Sequence, residues 1–328
     1  MLKVITKSMN LCELPYHIIQ ADLNLSQFTL VGIVNGISKK VYLVTDGNNH
    51  KTILYIWQKP FLGLTEAHTD GLHYLYAEGF EYFYHNTRLL TDLGIRVPRI
   101  IKTGHFFAEE AFDYAYAECF DGVSLQEYLQ HGNIAEIEFT DTLNAELNKF
   151  YTCSRDYYGS PLLTNRYAKS CQRLCYEHAV EELEIACSLD STVKGMKHSV
   201  LQQLDDYITI FACQLKPVSY ALIHGEPTPP HVWLLTDGTI GFIDIEGIKF
   251  FDIEFEYALL DMLYTFLSTS KPKRYDRNKL LFYKLYHQIC WLSVSVDYLR
   301  NIDASNKFFT KLRRTVIREL YEGGRGCN

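Results

Sequence analysis

Positive charge is scarce in this sequence: 32 lysines and arginines stand against 39 aspartates and glutamates, a formal charge of −7 over 328 residues. A general nucleic-acid binder uses surplus Lys and Arg to displace the counterions of the phosphate backbone, so this balance argues against a nucleic-acid partner. It leaves room for a local basic pocket around one phosphate group, and it suits a cationic small molecule. Long hydrophobic runs are missing too. No stretch approaches about 18 apolar residues without a charge, and MLKVITKSMNLCEL lacks the continuous apolar core of a secretory signal. The expectation is a cytoplasmic protein with no membrane partner. Low-complexity tracts are absent, and 47% hydrophobic with 22% charged residues are the proportions of a chain that packs a core. No coiled-coil heptad stands out to set an oligomeric state, and nothing in the sequence names a protein partner.

The nine cysteines are an odd number scattered along the chain, which reads as reduced thiols rather than a disulfide framework. One cluster, CQRLCYEH, sets Cys171, Cys175 and His178 on one helical face. Zinc would need a fourth ligand, which is not evident, so the favoured reading is that of small buried hydrophobes.

The first third alternates short β-rich runs with polar turns: QFTLVGIVNG, KKVYLVTDGNN and KTILYIWQKP, with AYAECFDG further on. TDGNNH between two of them is hairpin chemistry. LHYLYAEGFEYFYHNTRLLTDLG has apolar residues at helical spacing, with Gly94 placed as a C-terminal cap and Pro98 stopping the helix. Beyond Gly122 the pattern turns helical. Ser124 is placed as an N-cap, and helices are predicted within Asp141 to Tyr157, Ala168 to Leu189 and Lys197 to Leu215. The predicted class is α+β, with a small antiparallel-sheet lobe holding one main helix over residues 1–121. A larger, mostly helical lobe is predicted over residues 122–328.

The stretch ALIHGEPTPPHVWLLTDGTIGFIDIEG, Ala221 to Gly247, resembles the catalytic loop of the aminoglycoside phosphotransferase and choline kinase group, whose fold is protein-kinase-like. That group reads His-Gly-Asp, then Pro and Asn, then Ile-Asp-Phe-Glu after a hairpin. Here the residues are His224, Gly225, Glu226, Pro229, His231, Ile243, Asp244, Ile245 and Glu246. FDIEFEYAL resembles the group's next segment and places Asp252 and Glu256 at its aspartate positions. GIRVPRI, YAECFDGVSLQEYL and VNGISKKVYLVT resemble the lead into the fourth strand, the hinge and the first hairpin. Roughly residues 28 to 270 are covered, in order.

The resemblance implies a nucleotide-dependent phosphotransferase moving the γ-phosphate of ATP or GTP to a hydroxyl of a small, aminated molecule of antibiotic or amino-alcohol type. The alternative is a pseudokinase that binds nucleotide or ligand without transfer. A structural or regulatory partner is a third class. Antibiotic resistance is one role such a transferase would serve. The implied site divides among several groups. Glu226, with His224 in the same loop, would orient or deprotonate the hydroxyl. Asp244, at the end of the apolar run IGFID, would hold Mg2+ or Mn2+. His231 stands where the group has a metal-holding Asn, leaving three readings: one magnesium, a softer metal, or a hydrogen-bonding His without metal. Tyr55 stands where the group has the phosphate-contacting Lys, and Glu81 is that lysine's expected partner. Lys39, Lys40, Lys51 and Lys59 all lie near, and the sequence does not choose among them. Glu118, Cys119 and Phe120 form the expected hinge for the nucleotide base, and Gly32 and Gly36 serve either the phosphates or the turn. Glu246, Asp252 and Glu256 are candidate substrate carboxylates, with hydrogen bonding to the catalytic loop as the other use for some of them.

Overall fold

The structure is a computed structural model, and it describes residues 22–23, 28–35, 39–57, 75, 77–106, 112–131, 136–163, 169–212, 219–264 and 275–323. Gly36 and Lys59 lie outside the described residues. The chain divides into two compact units. One takes in residues 76–135 and 228–248 with the preceding N-terminal strands, and the other takes in residues 136–227 and 249–328 with the short segment Asp70–Leu75.

The first unit is built on a five-stranded antiparallel sheet in the order β1-β2-β3-β5-β4: β1 Phe28–Asn35, β2 Lys39–Asp46, β3 Lys51–Trp57, β4 Ile100–Phe106 and β5 Phe112–Glu118. The β2–β3 turn forms as its letters predict. Asp46 Oδ1 accepts the Asn48 and His50 N–H groups at 2.7 and 2.9 Å, and Asn49 takes the left-handed backbone the turn needs (φ 65°). This turn sets the register, so that Val41 pairs with Tyr55 and Lys39 with Trp57. Because strand side chains alternate, Lys39 and Tyr55 share one face of the sheet. The opposite face buries Tyr42, Val44, Leu54, Ile56, Tyr114 and Tyr116 together.

Helix α1, Phe80–Asp92, packs Phe80 and Phe83 against Trp57 and Phe83 against Tyr55. It stops at Gly94 in the predicted way: the Gly94 N–H donates to Thr91 O and the Ile95 N–H to Leu90 O, with Gly94 at φ 70°. A second sheet, in the order β10-β9-β6, joins β6 Gly122–Ser124 to β9 Val232–Leu235 and β10 Ile240–Phe242. Helix α2, Leu125–Gln130, carries the full capping box of Ser124 and Glu127.

The second unit holds a three-stranded sheet, β11-β8-β7, made of β7 Ser154–Arg155, β8 Tyr220–Ile223 and β11 Lys249–Phe251. Its helices are α3 Glu136–Thr152, α4 Cys171–Leu189, α5 Ser191–Ala212, α6 Ile253–Leu263, α7 Arg277–Asn301 and α8 Lys307–Gly323. The helix predicted from Asp141 begins five residues earlier and ends at Thr152, because Ser154 and Arg155 leave it to pair as β7. Helix α7 is the centre of this unit, with α4, α6 and α8 all packed on it. Cys171 and Cys175 on α4 are fully buried, and burial pushes both thiols well up. His178 faces the Tyr286 hydroxyl at 3.1 Å, which is the packing role expected for this cluster. The class is the predicted one, α+β with a sheet-rich N-terminal region and eight described α-helices.

Candidate functional site

Asp244 follows β10 through Ile243 and opens a 3-10 turn, Ile245–Gly247. Its backbone is left-handed (φ 59°, ψ 48°), a conformation that Asp and Asn tolerate better than other side chains. The apolar strand buries Ile240 and Phe242 completely, and the turn then releases the carboxylate with about two-fifths of its side-chain surface exposed, 38%. The turn is pinned from α1: the fully buried Asn86 donates from Nδ2 to Ile245 O at 2.8 Å and to Glu246 O at 3.0 Å.

Lys39 reaches this turn from β2. Its Nζ donates to Asp244 Oδ1 at 2.6 Å and to Glu246 Oε1, and stands 5.5 Å over the Tyr55 ring. Burial pulls the Lys39 ammonium towards neutrality, but Glu246 and Asp244 outweigh it and hold the group above the ordinary lysine range. Lysine is therefore charged here. The other Asp244 oxygen, Oδ2, lies 3.7 Å from His231 Nε2. His231 is fixed by its backbone, accepting the Ile243 N–H at 3.0 Å and donating its own to Thr228 O at 2.8 Å.

Glu246 Oε2 is buried and has no hydrogen-bond partner among the described residues. A buried carboxylate oxygen without a partner is costly, and a further cation relieves that cost. Asp244 Oδ2 and His231 Nε2, 3.7 Å apart, are a donor pair chemically suited to a divalent metal.

The remaining sequence-predicted residues of this unit have other attachments. Tyr55 is 7% exposed and packs against Phe83 and Trp57, and burial raises its phenol well above the usual range. Glu81 is half-buried in the first turn of α1; the Lys39 ammonium pairs with Asp244 and Glu246 instead. Glu118 grips Arg96 through two guanidinium nitrogens and accepts the Arg99 N–H at 3.2 Å, and the Arg96 hydrogen bonds lower its pKa. The Glu118 N–H is already spent on Arg99 O at 2.9 Å. Cys119 is half-buried, and burial raises its thiol; Phe120 packs against Trp233 and under Arg96.

In the second unit, Glu226 is exposed on the loop after β8. His224 is 1% exposed, packs on Phe150 and accepts the Glu226 N–H at 3.3 Å, so its imidazole shapes the loop from within. Glu256 on α6 is wholly buried; it accepts the Gly225 N–H at 2.6 Å and the Tyr151 hydroxyl at 2.8 Å. Burial pushes its carboxyl up to about 7 despite those bonds. Asp252 is 4% exposed and is taken up by Lys279 Nζ at 2.9 Å, the Tyr283 hydroxyl at 2.7 Å and the Gln172 amide. Both carboxylates thus spend their oxygens on the protein itself.

Sequence reasoning did not single out Asn86, which has no motif, and did not choose Lys39 from four lysines. A usable signal existed for the lysine: the TDGNNH turn fixes the β2–β3 register, and that register puts Lys39 on the Tyr55 face and Lys40 on the other.

No family model matches the chain, and no curated protein matches it. Solved structures do. A thermostable mutant of aminoglycoside phosphotransferase APH(4)-Ia, in a ternary complex with ADP and hygromycin B, aligns at 15% identity over 96% of this chain and 99% of that one (TM-score 0.62). Choline kinase LicA from Streptococcus pneumoniae aligns at 17% identity over 94% of this chain and 99% of that one (TM-score 0.57). Amicoumacin kinase hAmiN, in complex with AMP-PNP, Ca2+ and Ami, aligns at 13% identity over 94% of this chain and 93% of that one (TM-score 0.56). Likeness over nearly the whole length at such low identity is a likeness of fold, and this chain has the protein-kinase-like α+β fold of the aminoglycoside phosphotransferases and choline kinases.

Proposed function

We propose that the protein is a nucleotide-dependent phosphotransferase that moves the γ-phosphate of ATP or GTP to a hydroxyl of a small, aminated molecule. The observation that carries this reading is the cluster at Asp244, where a strand-end carboxylate held by Lys39 faces His231 and the buried Glu246 Oε2 has no hydrogen-bond partner among the described residues. Such a donor set has little use in a protein that only packs. Similar folds bind ATP analogues, ADP, and in one case Ca2+, which supports nucleotide and divalent-metal use here.

In this reading Asp244 and His231 hold Mg2+ or Mn2+, with His231 favouring the softer ion. The metal, when bound, neutralises charge on the nucleotide phosphates. Glu226, exposed and with its backbone fixed by His224, accepts the proton of the acceptor hydroxyl. Glu256 and His224 position that loop. Glu118, Cys119 and Phe120 provide the backbone against which the base lies, Glu118 contributing its carbonyl because its N–H is spent. The unit of residues 1–69, 76–135 and 228–248 then serves the nucleotide and metal, and the other unit serves the acceptor. The net charge of −7 suits a cationic acceptor.

The test is thermal stability with ATP and GTP, each with Mg2+ or Mn2+, followed by phosphate transfer from labelled nucleotide to aminoglycosides and amino-alcohols. A ligand that binds only the folded state raises the melting temperature. Transfer that is lost in Glu226→Ala and Asp244→Asn is the expected result. Absence of any shift at millimolar nucleotide refutes the proposal.

A further inference from the structure

We propose that Lys39, on β2, is the residue that meets the nucleotide's phosphates, supplying from the neighbouring strand the charge that Tyr55 does not supply from β3. This rests on the nucleotide-dependent reading above and adds to it a specific contact made from a different strand.

Four observations converge. Tyr55 offers an uncharged hydroxyl, and its ring is committed to the packing of Phe83 and Trp57, so the β3 position carries no cation. Lys39 lies on the same sheet face, its Nζ 5.5 Å from the Tyr55 ring centroid, so the cation is displaced by one strand and not lost. Its side chain is 11% exposed and its ammonium is held by Asp244 Oδ1 and Glu246 Oε1, which fixes the charge beside the candidate metal ligand Asp244. An ammonium has three donors. The two carboxylates take two of them, and the third is left for an anionic oxygen.

Two other cations of this unit have carboxylate partners, and Lys51 lies at the opposite end of β3 from Trp57, which pairs with Lys39. Arg96 is paired with Glu118, Lys102 with Asp22 at 2.7 Å, and Lys51 sits at the hairpin end of β3, paired in register with Thr45.

A lysine that only neutralised Asp244 and Glu246 would share most of this geometry, and the experiment separates the two roles. Binding of ADP with Mg2+ is measured by titration calorimetry, and binding of Mn2+ alone by loss of the free-ion electron paramagnetic resonance signal. Wild type, Lys39→Ala, Lys39→Met and Tyr55→Phe are compared. Losing one charged hydrogen bond to a phosphate weakens ADP about ten- to a hundred-fold in Lys39→Ala, whereas Mn2+ alone binds at least as tightly because an opposing charge has gone. Tyr55→Phe leaves both within about twofold of wild type, since no charge is removed. Lys39→Met keeps the apolar stem and gives the same result should the alanine variant not fold.

ADP binding in the Lys39 variants within about threefold of wild type overturns the proposal, because a phosphate contact cannot be worth so little. Equal weakening of ADP and Mn2+ also overturns it, since Lys39 would then be a prop for the carboxylates. Wild-type protein that binds no nucleotide with any metal refutes the phosphotransferase reading itself, an outcome distinct from both.

Discussion

Replacing Glu256 by glutamine should remove a pH dependence of stability whose size follows from its surroundings. The carboxyl has no exposed surface, and burial pushes its pKa up to about 7 although Gly225 and Tyr151 both donate to it. The fold therefore favours the protonated acid, whereas the unfolded chain ionises near 4.5. A group raised in this direction contributes stability that is full below the unfolded value and is lost as pH climbs through the folded one. Each tenfold change in proton affinity is worth about 1.4 kcal/mol, so the whole window carries about 3 kcal/mol. Between pH 5 and pH 8 the expected loss is about 2–3 kcal/mol. Glutamine offers the Gly225 N–H the same acceptor but cannot ionise. Urea unfolding of both proteins near pH 5 and near pH 8 measures the effect, with all other titrating groups cancelling to first order. The variant should gain about 2–3 kcal/mol on wild type across that interval. A difference that stays constant to within about 0.5 kcal/mol would refute the argument that burial, and not its hydrogen bonds, governs this carboxyl.

Three further outcomes are expected. His287 is buried with Nε2 against Phe255 O at 2.9 Å, and burial pulls its pKa down to about 4, so its stability contribution is present above about 6.5 and is lost as pH falls through 4; His287→Gln should lose up to about 3 kcal/mol less than wild type in acid, by urea unfolding. A methyl group at Gly241 would stand 2.6 Å from Phe120 Cε2 and 2.8 Å from Cζ, so Gly241→Ala should cost about 1–3 kcal/mol and lower the melting temperature. Asp244→Asn tolerates the left-handed backbone and should abolish metal-dependent stabilisation by nucleotide, while Asp244→Ala should lose about 1 kcal/mol more of intrinsic stability, read from melting without ligand.

The sequence carried most of the first unit because its signals are local. TDGNNH made the turn that sets the β2–β3 register, Gly94 capped α1 and Ser124 capped α2, each within a few residues of the partner it needs. The loop motif likewise pointed to Asp244 and His231, which the structure brings to 3.7 Å. What stayed hidden depends on contacts across long stretches of chain. Asn86 and the Ile245 carbonyl are separated by 159 residues, and no spacing rule connects them. The pairing of Lys39 with Asp244 spans 205 residues. Carboxylates posed the opposite difficulty: Asp252 and Glu256 look like ligand groups as letters, and only their burial reveals that Lys279, Tyr283, Gly225 and Tyr151 already occupy them.

The pairing of β6 with β9 also sets an order of events during synthesis. Gly122 to Ser124 must wait for Trp233 to Leu235, more than a hundred residues later, before their backbone groups find partners. At about 5–20 residues per second, the ribosome exposes an incomplete first unit for roughly five to twenty seconds. Asp244 and Glu246 emerge near the end of the first unit, after the segment 136–227 of the other unit has been made. Until then Lys39 has neither of its carboxylates. The nascent chain therefore carries an uncompensated lysine on its β2–β3 hairpin, and the candidate metal site closes only when about half of the second unit has been translated.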